Sequence, residues 1–581
     1  MKILIPFNHY AQLFPHKNTA LYRALRESIV EGRLESGSKL PSSRELAEIY
    51  GISRGLVMQV YEMLMSEGYI EGKPGKGTFV AYRSDQAAGT GSSSDEPLLM
   101  SAWGRFLMES GDGAGRREEG SGGSAGNKEG SEEQELPGVE RRPGRVKAAE
   151  VDATGQGQIG GAKQAEAGTA GYGEGIGAGV AEGSTATSDT RTAGPNAALA
   201  SPHASRSAGS WPPEPHTPAG PGAVVFELSG TDSAAFPRQA WNRCLHEQVR
   251  SAAFLEDPLR DPQGDYSLRS AIALHLRRSR SIDADPDCVA IVNGSMQAIA
   301  LTMQLLVNPG DEVVVESPGY SGAVRAAAAA GGVPVDAPVD GQGIIPQPWN
   351  ARLLFVTPGR QFPTGAVLPL KRRQELLRWA KERGAVIIED DYDTEFRYAG
   401  RPLEPLKALD REGRVLFVGT FSRTMYAGLR LGYAVLPPSL VEPFRRAKQH
   451  YEPLTTGMME QRALAAFMNS GAYERHLRRM QRVYGEKAAL LRSGLTALDP
   501  AFEWMPSEAG LHIFGWWKGG AEDYRRFAAE CAKRGVFWRD AGRHVRCEER
   551  PAACFGFGHL SREEIGRGIA VMTEVLTETF L

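Results

Sequence analysis

The sequence predicts a multidomain protein: a small, mainly helical N-terminal domain with a β hairpin, a disordered linker rich in Gly, Ala and Ser, and a C-terminal α/β domain with a mostly parallel sheet. Three observations predict this organisation. The chain has 581 residues, more than one hydrophobic core usually organises. Residues 84–222 hold 28 of the 68 glycines. After this segment, short apolar runs alternate with stretches of helix length.

The overall charge excludes two classes of protein. Lys and Arg number 67 against 70 Asp and Glu, so the chain is neither a uniformly basic coat for nucleic acid nor an acidic disordered protein. The five cysteines lack the spacing of a zinc site or a disulfide framework, which predicts no metal site and a reducing, cytoplasmic location. No apolar stretch reaches the ~18 residues of a membrane span, so no membrane contact is expected.

Residues 84–222 form the predicted linker. The segment contains only four aromatic residues, too little apolar surface to offset the entropy of ordering it. A Gly-rich random coil of this length has a root-mean-square reach of roughly 65 Å. We therefore expect the flanking domains, residues 1–83 and 223–581, to move independently or to reach across a dimer.

The N-terminal domain, residues 1–83, is locally basic, with 11 Lys or Arg against 8 Glu and no Asp. Its pattern predicts three short helices followed by a hairpin. Ser42 and Glu45 have the spacing of a capping box that starts the second helix, and Gly51 ends it. The third helix begins at Ser53, after a turn of only two residues.

Two helices joined by so short a turn predict a helix-turn-helix, whose second helix points its first turn into the DNA major groove. Arg54 lies there, with a guanidinium that can pair with guanine or grip a phosphate, and Ser53 can donate to a phosphate. The following stretch, YIEGKPGKGTFVA, predicts two strands around a Gly and Lys turn, the form of a wing.

The run LPSSRELAEIYGISRGLVMQVYEMLMSEGYIEGKPGKGTFV, residues 40–80, resembles the GntR-type winged helix. The resemblance implies a double-stranded DNA operator as partner. The resemblance implies DNA contacts from five residues, and Ser53 at the start of the third helix is added to them. The predicted DNA-binding residues are therefore Arg44, Ser53, Arg54, Lys76, Gly77 and Thr78. Gly55 and Leu56 stand where the family usually has a threonine pair, so a different DNA sequence preference is expected.

The C-terminal domain, residues 223–581, contains near-continuous apolar runs separated by helix-length segments, which predicts a mostly parallel sheet. The predicted strands are residues 289–293, 311–317, 352–358, 385–391, 414–422 and 433–437. Ligands bind such sheets at the carboxyl ends of the strands. After the first run, Gly294 and Ser295 open a helix whose free amides and dipole favour a phosphate. After later runs come an aromatic ring, carboxylates, hydroxyls and a guanidinium.

These stretches together resemble the fold-type-I aminotransferases, which bind pyridoxal phosphate, and specifically the MocR-type regulators, which join a GntR-type winged helix to such a domain. The matching stretches are ESPGYSG, VTPGRQFPTG, EDDYDTEFRYAGRP and GTFSRTMYAGLRLGY. The resemblance implies cofactor-binding roles for Gly294, Ser295, Met296, Tyr320, Asp390, Tyr392, Thr420, Ser422 and Arg430.

Each role follows from the resemblance and has a chemical reason. Ser295 and Met296 would hold the phosphate, in a cup that the later hydroxyls and Arg430 complete. Tyr320 would stack on the pyridine ring, and Asp390 would pair with the ring nitrogen and keep the ring protonated as an electron sink. The hydroxyl of the tyrosine in EDDYD would bond the phenolic oxygen.

One position departs from the aminotransferase pattern in a decisive way. The family motif is Ser-Lys-x-Leu, and its lysine forms the Schiff base, but this chain has Arg423 there. A guanidinium with a pKa above ~12 is never a neutral amine, so it cannot form an imine or move the substrate's proton. Cys554 also falls where the family's carboxylate-binding arginine belongs, with Arg550 as a possible stand-in. No catalytic residue is therefore predicted.

The sequence leads to one main functional hypothesis and two alternatives. In the main hypothesis, a homodimeric DNA-binding regulator senses a small molecule, a B6 vitamer, amino acid or amine, without transaminase turnover. Pyridoxal phosphate would bind noncovalently, or the pocket would have abandoned it for another anion. The first alternative is an active aminotransferase with an accessory DNA-binding domain, which requires a competent lysine. The second is a structural dimerisation platform without a ligand.

Overall fold

The fold is described from a computed structural model. This model describes residues 5–13, 17–73, 76–82, 98–111, 220, 222–251, 261–398, 404–542 and 550–580. All of them belong to one compact unit, residues 1–117 and 217–581. No helix within these ranges is long and apolar enough to cross a membrane.

The N-terminal domain has one more helix than the sequence predicts. Its elements are α1 (Phe7–Leu13), α2 (Lys17–Val30), α3 (Ser43–Tyr50), α4 (Arg54–Ser66), β1 (Ile70–Lys73) and β2 (Gly77–Val80). The additional helix, α1, forms because Phe7 is buried and its ring meets Tyr50 edge to face at 5.3 Å. Val57, Val60 and Leu64 of α4 are fully buried, as the apolar spacing predicts.

A part of the predicted linker is folded, so the assignment of all of residues 84–222 to disorder is wrong. Residues Ala102–Gly111 form α5, and most of the remaining linker lies outside the described residues. The Ser101 amide donates to the carbonyl of Leu305 at 2.7 Å, and Leu107 is buried in the C-terminal core. At Gly104, a Cβ atom would lie 2.8 Å from the Leu305 oxygen, so only glycine allows this approach. Composition misses α5 because its apolar residues are diluted by the surrounding Gly-rich sequence.

The C-terminal domain alternates strands and helices, as its sequence pattern predicts. Its helices are α6 (Arg238–Ser251), α7 (Tyr266–Arg280), α8 (Ser295–Leu306), α9 (Ser321–Ala329), α10 (Leu370–Arg383), α11 (Leu406–Leu409), α12 (Pro438–Tyr451), α13 (Met458–Asn469), α14 (Ala472–Leu495), α15 (Ala521–Lys533) and α16 (Arg562–Phe580). Its strands are β3 (Val224–Phe226), β4 (Val289–Val292), β5 (Glu312–Ser317), β6 (Val333–Asp340), β7 (Gly343–Ile344), β8 (Leu353–Val356), β9 (Val386–Asp391), β10 (Val415–Thr420), β11 (Gly432–Val435), β12 (Phe502–Trp504), β13 (His512–Trp517), β14 (Val536–Asp540) and β15 (Ala552–Gly556).

The larger sheet confirms the prediction of a mostly parallel arrangement. In the described part of the chain its order is β4-β11-β10-β9-β8-β5-β6-β7. The four central pairs, from β10 to β6, are parallel, while β11 runs antiparallel to both of its neighbours. The six predicted runs are strands β4, β5, β8, β9, β10 and β11. The carboxyl ends of the parallel strands therefore meet at one edge, where the candidate residues lie.

A second sheet joins the two ends of the C-terminal domain. Its order is β12-β13-β15-β14-β3 in the described residues, and β3 pairs in parallel with β14 although some 300 residues separate them. Phe226 of β3 is fully buried, edge to face with Phe555 at 5.6 Å. This pairing places the segment after β3 beside the carboxyl edge of the larger sheet.

Candidate functional site

The starts of α3 and α4 are fixed by side-chain caps. The Glu45 amide donates to Ser42 Oγ at 3.3 Å, and the Ser42 amide donates to Glu45 Oε2 at 2.7 Å, so the predicted capping box is present. Gly51 ends α3 in the left-handed region, with φ of 59°. Ser53 then caps α4 by accepting a hydrogen bond from the Leu56 amide at 3.2 Å. These caps set the short turn that joins the helix pair.

The residues predicted to contact DNA lie at the surface. Arg44, Ser53 and Arg54 are exposed at the starts of α3 and α4, and Arg54 Nε donates to Ser43 Oγ at 3.4 Å across the turn. In the wing, Lys76 and Gly77 are exposed and Thr78 is half-buried. Gly77 has φ of 111°, a conformation that favours glycine. The structure thus leaves the charged groups of the helix pair and the wing open to solvent.

At the other site, the predicted phosphate cup comes together at the start of α8. Gly294 has φ of 83°, and a Cβ atom there would lie 2.4 Å from Arg430 Nη2. Only glycine therefore lets the Arg430 guanidinium lie beside the amino end of α8, where Ser295 is the first residue. The Ser422 amide donates to Thr420 Oγ1 at 3.2 Å on the neighbouring loop. Helix amides, hydroxyls and a guanidinium are the groups that bind phosphate.

An aromatic wall borders the same pocket. A Cβ atom at Gly322 would lie 2.4 Å from Tyr320 Cε1 and 2.8 Å from Met296 Sδ, so the two predicted side chains meet over this glycine. The Tyr320 ring packs against Phe355 at 6.2 Å and Phe362 at 5.9 Å between centroids. This packing holds the ring in place, as a stacking platform for a flat ligand requires.

Asp390 is the second-to-last residue of β9 and is 6% exposed. Burial raises the pKa of Asp390 to about 7, repulsion from Asp391 acts in the same direction, and Arg423 opposes both. Among the described residues, no hydrogen-bond donor reaches Asp390 Oδ1. A buried carboxylate oxygen without a donor is costly unless a ligand supplies one.

Tyr392 is held by a residue that the sequence reasoning missed. Arg360 Nη1 donates to the Tyr392 hydroxyl at 2.8 Å and pairs with Asp393 Oδ2 at 3.0 Å. Its Nη2 donates to the carbonyl of His512 on β13 at 2.8 Å. Arg360 therefore connects the pocket wall to the second sheet. Its position in VTPGRQFPTG, directly after β8, is the signal that could have identified it.

Arg423 and Leu228 link the loop after β10 to the segment after β3. Arg423 Nη1 donates to the Leu228 carbonyl oxygen. Its charge lowers the pKa of Asp390 and of Tyr392 against the larger effect of burial on each, so the guanidinium lies near both. Arg423 therefore contributes a fixed cation to the pocket.

The two residues considered for a carboxylate clamp lie in different surroundings. Cys554 is fully buried on β15, packed with Leu228 and Phe362, and burial raises the pKa of its thiol. Arg550 instead donates to Glu503 Oε2 at 2.6 Å in a partly exposed ion pair. The Arg550 guanidinium is thus engaged by a carboxylate on β12, and its role as a stand-in stays a prediction.

The pocket fits pyridoxal phosphate on chemical grounds. Asp390 Oδ1 could accept the pyridinium N–H, and the Ser422 hydroxyl is a second buried polar group that no described residue satisfies. The charges match, since the cofactor brings a protonated ring nitrogen toward Asp390 and a phosphate dianion toward Arg430. Among the described residues, no group of three or more His, Cys, Asp or Glu could hold a metal ion.

Comparisons with known protein families match both domains. Residues 17–80 match the family described as bacterial regulatory proteins, gntR family. Residues 258–568 match the family aminotransferase class I and II, which spans more than half of the chain. The two matched regions are separated by the predicted linker.

Two relatives are transcription regulators by name. The chain is 32% identical to the uncharacterized HTH-type transcriptional regulator YhdI of Bacillus subtilis over 351 residues, 60% of this chain and 74% of that protein. It is 28% identical to the probable rhizopine catabolism regulatory protein MocR of Rhizobium meliloti over 519 residues, 87% of this chain and 82% of that protein.

Among the solved structures similar to this chain is a crystal structure of Pyrococcus horikoshii kynurenine aminotransferase. It superposes on this chain with a TM-score of 0.57 and is 26% identical to it. The similarity covers 62% of this chain and 92% of that protein. The C-terminal domain therefore has the aminotransferase fold, a family that uses pyridoxal phosphate. With a GntR helix-turn-helix domain before an aminotransferase class I and II domain, the chain belongs to the MocR-type DNA-binding transcription regulators of the GntR family.

Proposed function

We propose that the chain regulates transcription as a cytoplasmic homodimer whose aminotransferase-like domain senses a ligand without transaminase turnover. Residues 1–83 would bind a double-stranded DNA operator, and residues 223–581 would dimerise and hold the ligand, with residues 84–222 between them. The ligand would be pyridoxal phosphate bound noncovalently, or another small anion. A B6 vitamer, an amino acid or an amine would then act as the effector.

The observation that carries the proposal is Arg423. Its guanidinium cannot form the imine that anchors the cofactor in aminotransferases, and it cannot accept a proton as a general base. Its Nη1 instead donates to the Leu228 carbonyl, so the side chain holds two segments of the pocket together. Asp390, Tyr320 and the phosphate cup remain, which supports binding without covalent chemistry.

Each pocket residue has a binding role in this proposal. Ser295, Ser422 and Arg430 would bind the phosphate, Tyr320 would stack on the ring, and Asp390 would accept the ring N–H. Bound in this way, pyridoxal phosphate would present an electron-withdrawing ring to an incoming amine. The Tyr392 hydroxyl, already bonded by Arg360, would face the ring oxygen.

An active aminotransferase is the alternative, and it needs a lysine near Asp390. Four lysines of the C-terminal domain that the sequence analysis weighs have partners elsewhere. Lys371 lies 3.9 Å from Glu375, Lys381 bonds Glu412, Lys407 donates to the carbonyl of Val415, and Lys448 pairs with Glu452. None of these partners belongs to the pocket, which favours the ligand-sensing function.

Titration of the purified chain with pyridoxal phosphate tests the proposal. We expect saturable binding without an imine absorbance band, and full release of the cofactor after borohydride treatment. Arg423→Lys should restore an imine band and, after borohydride, a lysine adduct detectable by mass spectrometry. Arg525→Lys is the matched control, because Arg525 is an exposed residue of α15.

Three results would count against the proposal. A lysine adduct in the wild-type chain would favour the active aminotransferase. No saturable binding in either chain would favour a dimerisation platform without a ligand. A monomer by light scattering would exclude the proposed homodimer. Sensing itself requires that pyridoxal phosphate changes the affinity for DNA selected in vitro from a random pool.

A further inference from the structure

A buried carboxylate joins the N-terminal domain to the C-terminal domain. Glu404 precedes α11 and is 8% exposed. The Tyr69 hydroxyl donates to Glu404 Oε2 at 2.7 Å, and Arg26 forms an ion pair with the same oxygen. Arg23 Nη1 lies 3.6 Å from Glu404 Oε1. We call Glu404, Arg23, Arg26 and Tyr69 the Glu404 cluster.

Tyr69 directly precedes β1, the first strand of the wing, and we call this residue the root of the wing. Its amide donates to the Leu64 carbonyl at 2.9 Å, near the end of α4. Its carbonyl accepts hydrogen bonds from the amides of Ala81 at 2.9 Å and Tyr82 at 3.1 Å, just beyond β2. The side chain bonded to Glu404 therefore belongs to the residue where α4 and both wing strands come together. Fixing Tyr69 fixes the orientation of the elements predicted to contact DNA.

The Glu404 cluster is a buried polar contact between the domains. A cavity of about 960 Å³ opens beside it, with polar and apolar lining that includes Glu27 and Glu31 of α2 and Asp285 and Asp410 of the C-terminal domain. On another side, Leu370 at the start of α10 packs against the N-terminal core. Because this cavity leaves part of the contact between the domains unpacked, the orientation of the N-terminal domain there depends on directional bonds such as those of Glu404.

Glu404 is also tied to the pocket. Ser281 Oγ donates to Glu404 Oε1 at 2.7 Å. The preceding residue, Arg280, is 7% exposed, and its Nη2 lies 3.0 Å from Asp391 Oδ2. Asp391 directly follows Asp390, the carboxylate that lacks a donor. A buried row of charges therefore runs from the pocket to the domain contact.

A second connection reaches the backbone of the same residue. Arg373 is 1% exposed, its Nη1 donates to the Glu404 carbonyl at 2.9 Å, and its Nη2 donates to the Pro358 carbonyl at 2.7 Å. Glu389, which precedes Asp390, accepts the Leu406 amide at 2.8 Å and so fixes the start of α11. Both the side chain and the backbone of Glu404 are thus positioned by residues next to the pocket.

We propose that Glu404 is a positioning residue that fixes the root of the wing, and that ligand binding in the pocket changes DNA affinity through it. The second part rests on the proposed function, because it needs a ligand in the pocket. A cationic group of the ligand that pairs with Asp390 changes the electrostatic potential at Asp391 and Arg280. Because Ser281 follows Arg280 in the chain, a shift of Arg280 alters the Ser281 bond to Glu404.

Two variants of the full chain test the first part. Glu404→Gln keeps the shape and removes the charge, and Tyr69→Phe removes one donor while the ring stays packed against Tyr82, 5.6 Å between centroids. We expect amide hydrogen exchange in residues 69–73 and 76–82 to accelerate at least about fivefold, because the wing root loses its anchor. Affinity for the selected DNA should fall about fivefold to tenfold, because fewer molecules hold the wing in the binding orientation. Glu503→Gln, in an exposed pair within the C-terminal domain, is the control.

The outcomes decide the first part clearly. Faster exchange and weaker DNA binding in both variants support it. Exchange and DNA affinity equal to those of Glu503→Gln overturn it. If Glu404→Gln leaves Arg26 buried without a partner and does not fold, Tyr69→Phe alone decides, since it keeps every charge in place.

The second part is tested with pyridoxal phosphate as the ligand. The readout is the ratio of DNA dissociation constants without and with pyridoxal phosphate. Glu404→Gln should bring this ratio to about 1 while the affinity for pyridoxal phosphate stays within about twofold of wild type. An unchanged ratio in a variant that still binds the cofactor overturns the proposed communication. If the wild-type chain does not bind pyridoxal phosphate, the version of the proposed function in which this cofactor is the ligand fails, and the communication from the pocket fails with it for this ligand. Hydrogen exchange then still decides the role of Glu404.

Discussion

The DNA-binding face and the pocket place charge in opposite surroundings. Arg44, Arg54 and Lys76 are exposed, and each can be removed without stranding a buried partner. In the pocket, Arg360 and Asp390 are almost fully buried, so each charge depends on its neighbours. The predicted DNA-binding residues can therefore change at little cost to folding, whereas the buried pocket charges contribute to the folding free energy as well as to the proposed ligand site.

Arg360→Met gives the largest expected effect on stability. The variant leaves Asp393, which is 1% exposed, without its ion pair, and breaking such a pair from one side costs about 3–5 kcal/mol of unfolding free energy. The control is Arg550→Met, whose partly exposed pair with Glu503 is worth about 0–1 kcal/mol. Urea unfolding measures both variants. Equal losses of unfolding free energy in the two variants would show that the buried ion pair stabilises the protein no more than the partly exposed one.

Arg54→Ala is expected to weaken specific DNA binding by roughly 1–3 kcal/mol if the guanidinium reads a base. The midpoint of thermal unfolding should not change, because Arg54 is exposed. Arg33→Ala, an exposed arginine paired with Glu31, is the control and should bind DNA as the wild type does. Fluorescence anisotropy with selected and scrambled DNA distinguishes base recognition from a phosphate contact. An equal loss of affinity for both DNAs would make Arg54 a phosphate contact.

The affinity for pyridoxal phosphate is expected to depend on pH through Asp390. Its raised pKa of about 7 means that the empty pocket holds a protonated carboxyl below neutrality, and pairing with a pyridinium requires loss of that proton. Affinity should therefore fall by up to about tenfold per pH unit below pH 7 and level off above it. Titrations from pH 5.5 to 8 measure this. The same slope in Asp390→Asn would assign the effect to another group.

The smallest expected effect concerns the scaffold of the DNA-binding face. Ser42→Ala removes the capping box of α3 and should lower the unfolding free energy by about 1 kcal/mol. Ser36→Ala, at an exposed position before α3, is the control. Thermal unfolding checks both variants. No difference between them would mean that water replaces the cap without cost.

The sequence predicts the N-terminal domain well because its signals are local. The capping box at Ser42 and the glycine at position 51 each act within one helix turn, and the structure has both. The six apolar runs also become strands where they are expected, because buried strands must be apolar whatever their partners. Local patterns therefore suffice for the elements themselves.

The relationships between distant residues could not be predicted in the same way. Arg360 contacts Tyr392 and His512 only because strands β8, β9 and β13 are brought together by the fold. The pairing of β3 with β14 joins residues far apart in the chain, and no periodicity within either strand encodes it. The roles of the pocket and DNA-binding residues remain predictions.

The docking of α5 changes the length of the tether that matters for DNA recognition. Both α5 and β3 lie on the C-terminal domain, so the segment between them begins and ends on the same body. Along the chain, the N-terminal domain is joined to α5 by the stretch from residue 83 to residue 97, and a chain of this length spans at most about 50 Å. In the proposed dimer, this short stretch therefore limits how far each N-terminal domain can move from its C-terminal domain, and so limits the spacing of two half-sites that the dimer can bridge. Insertions or deletions after α5 would leave that spacing unchanged.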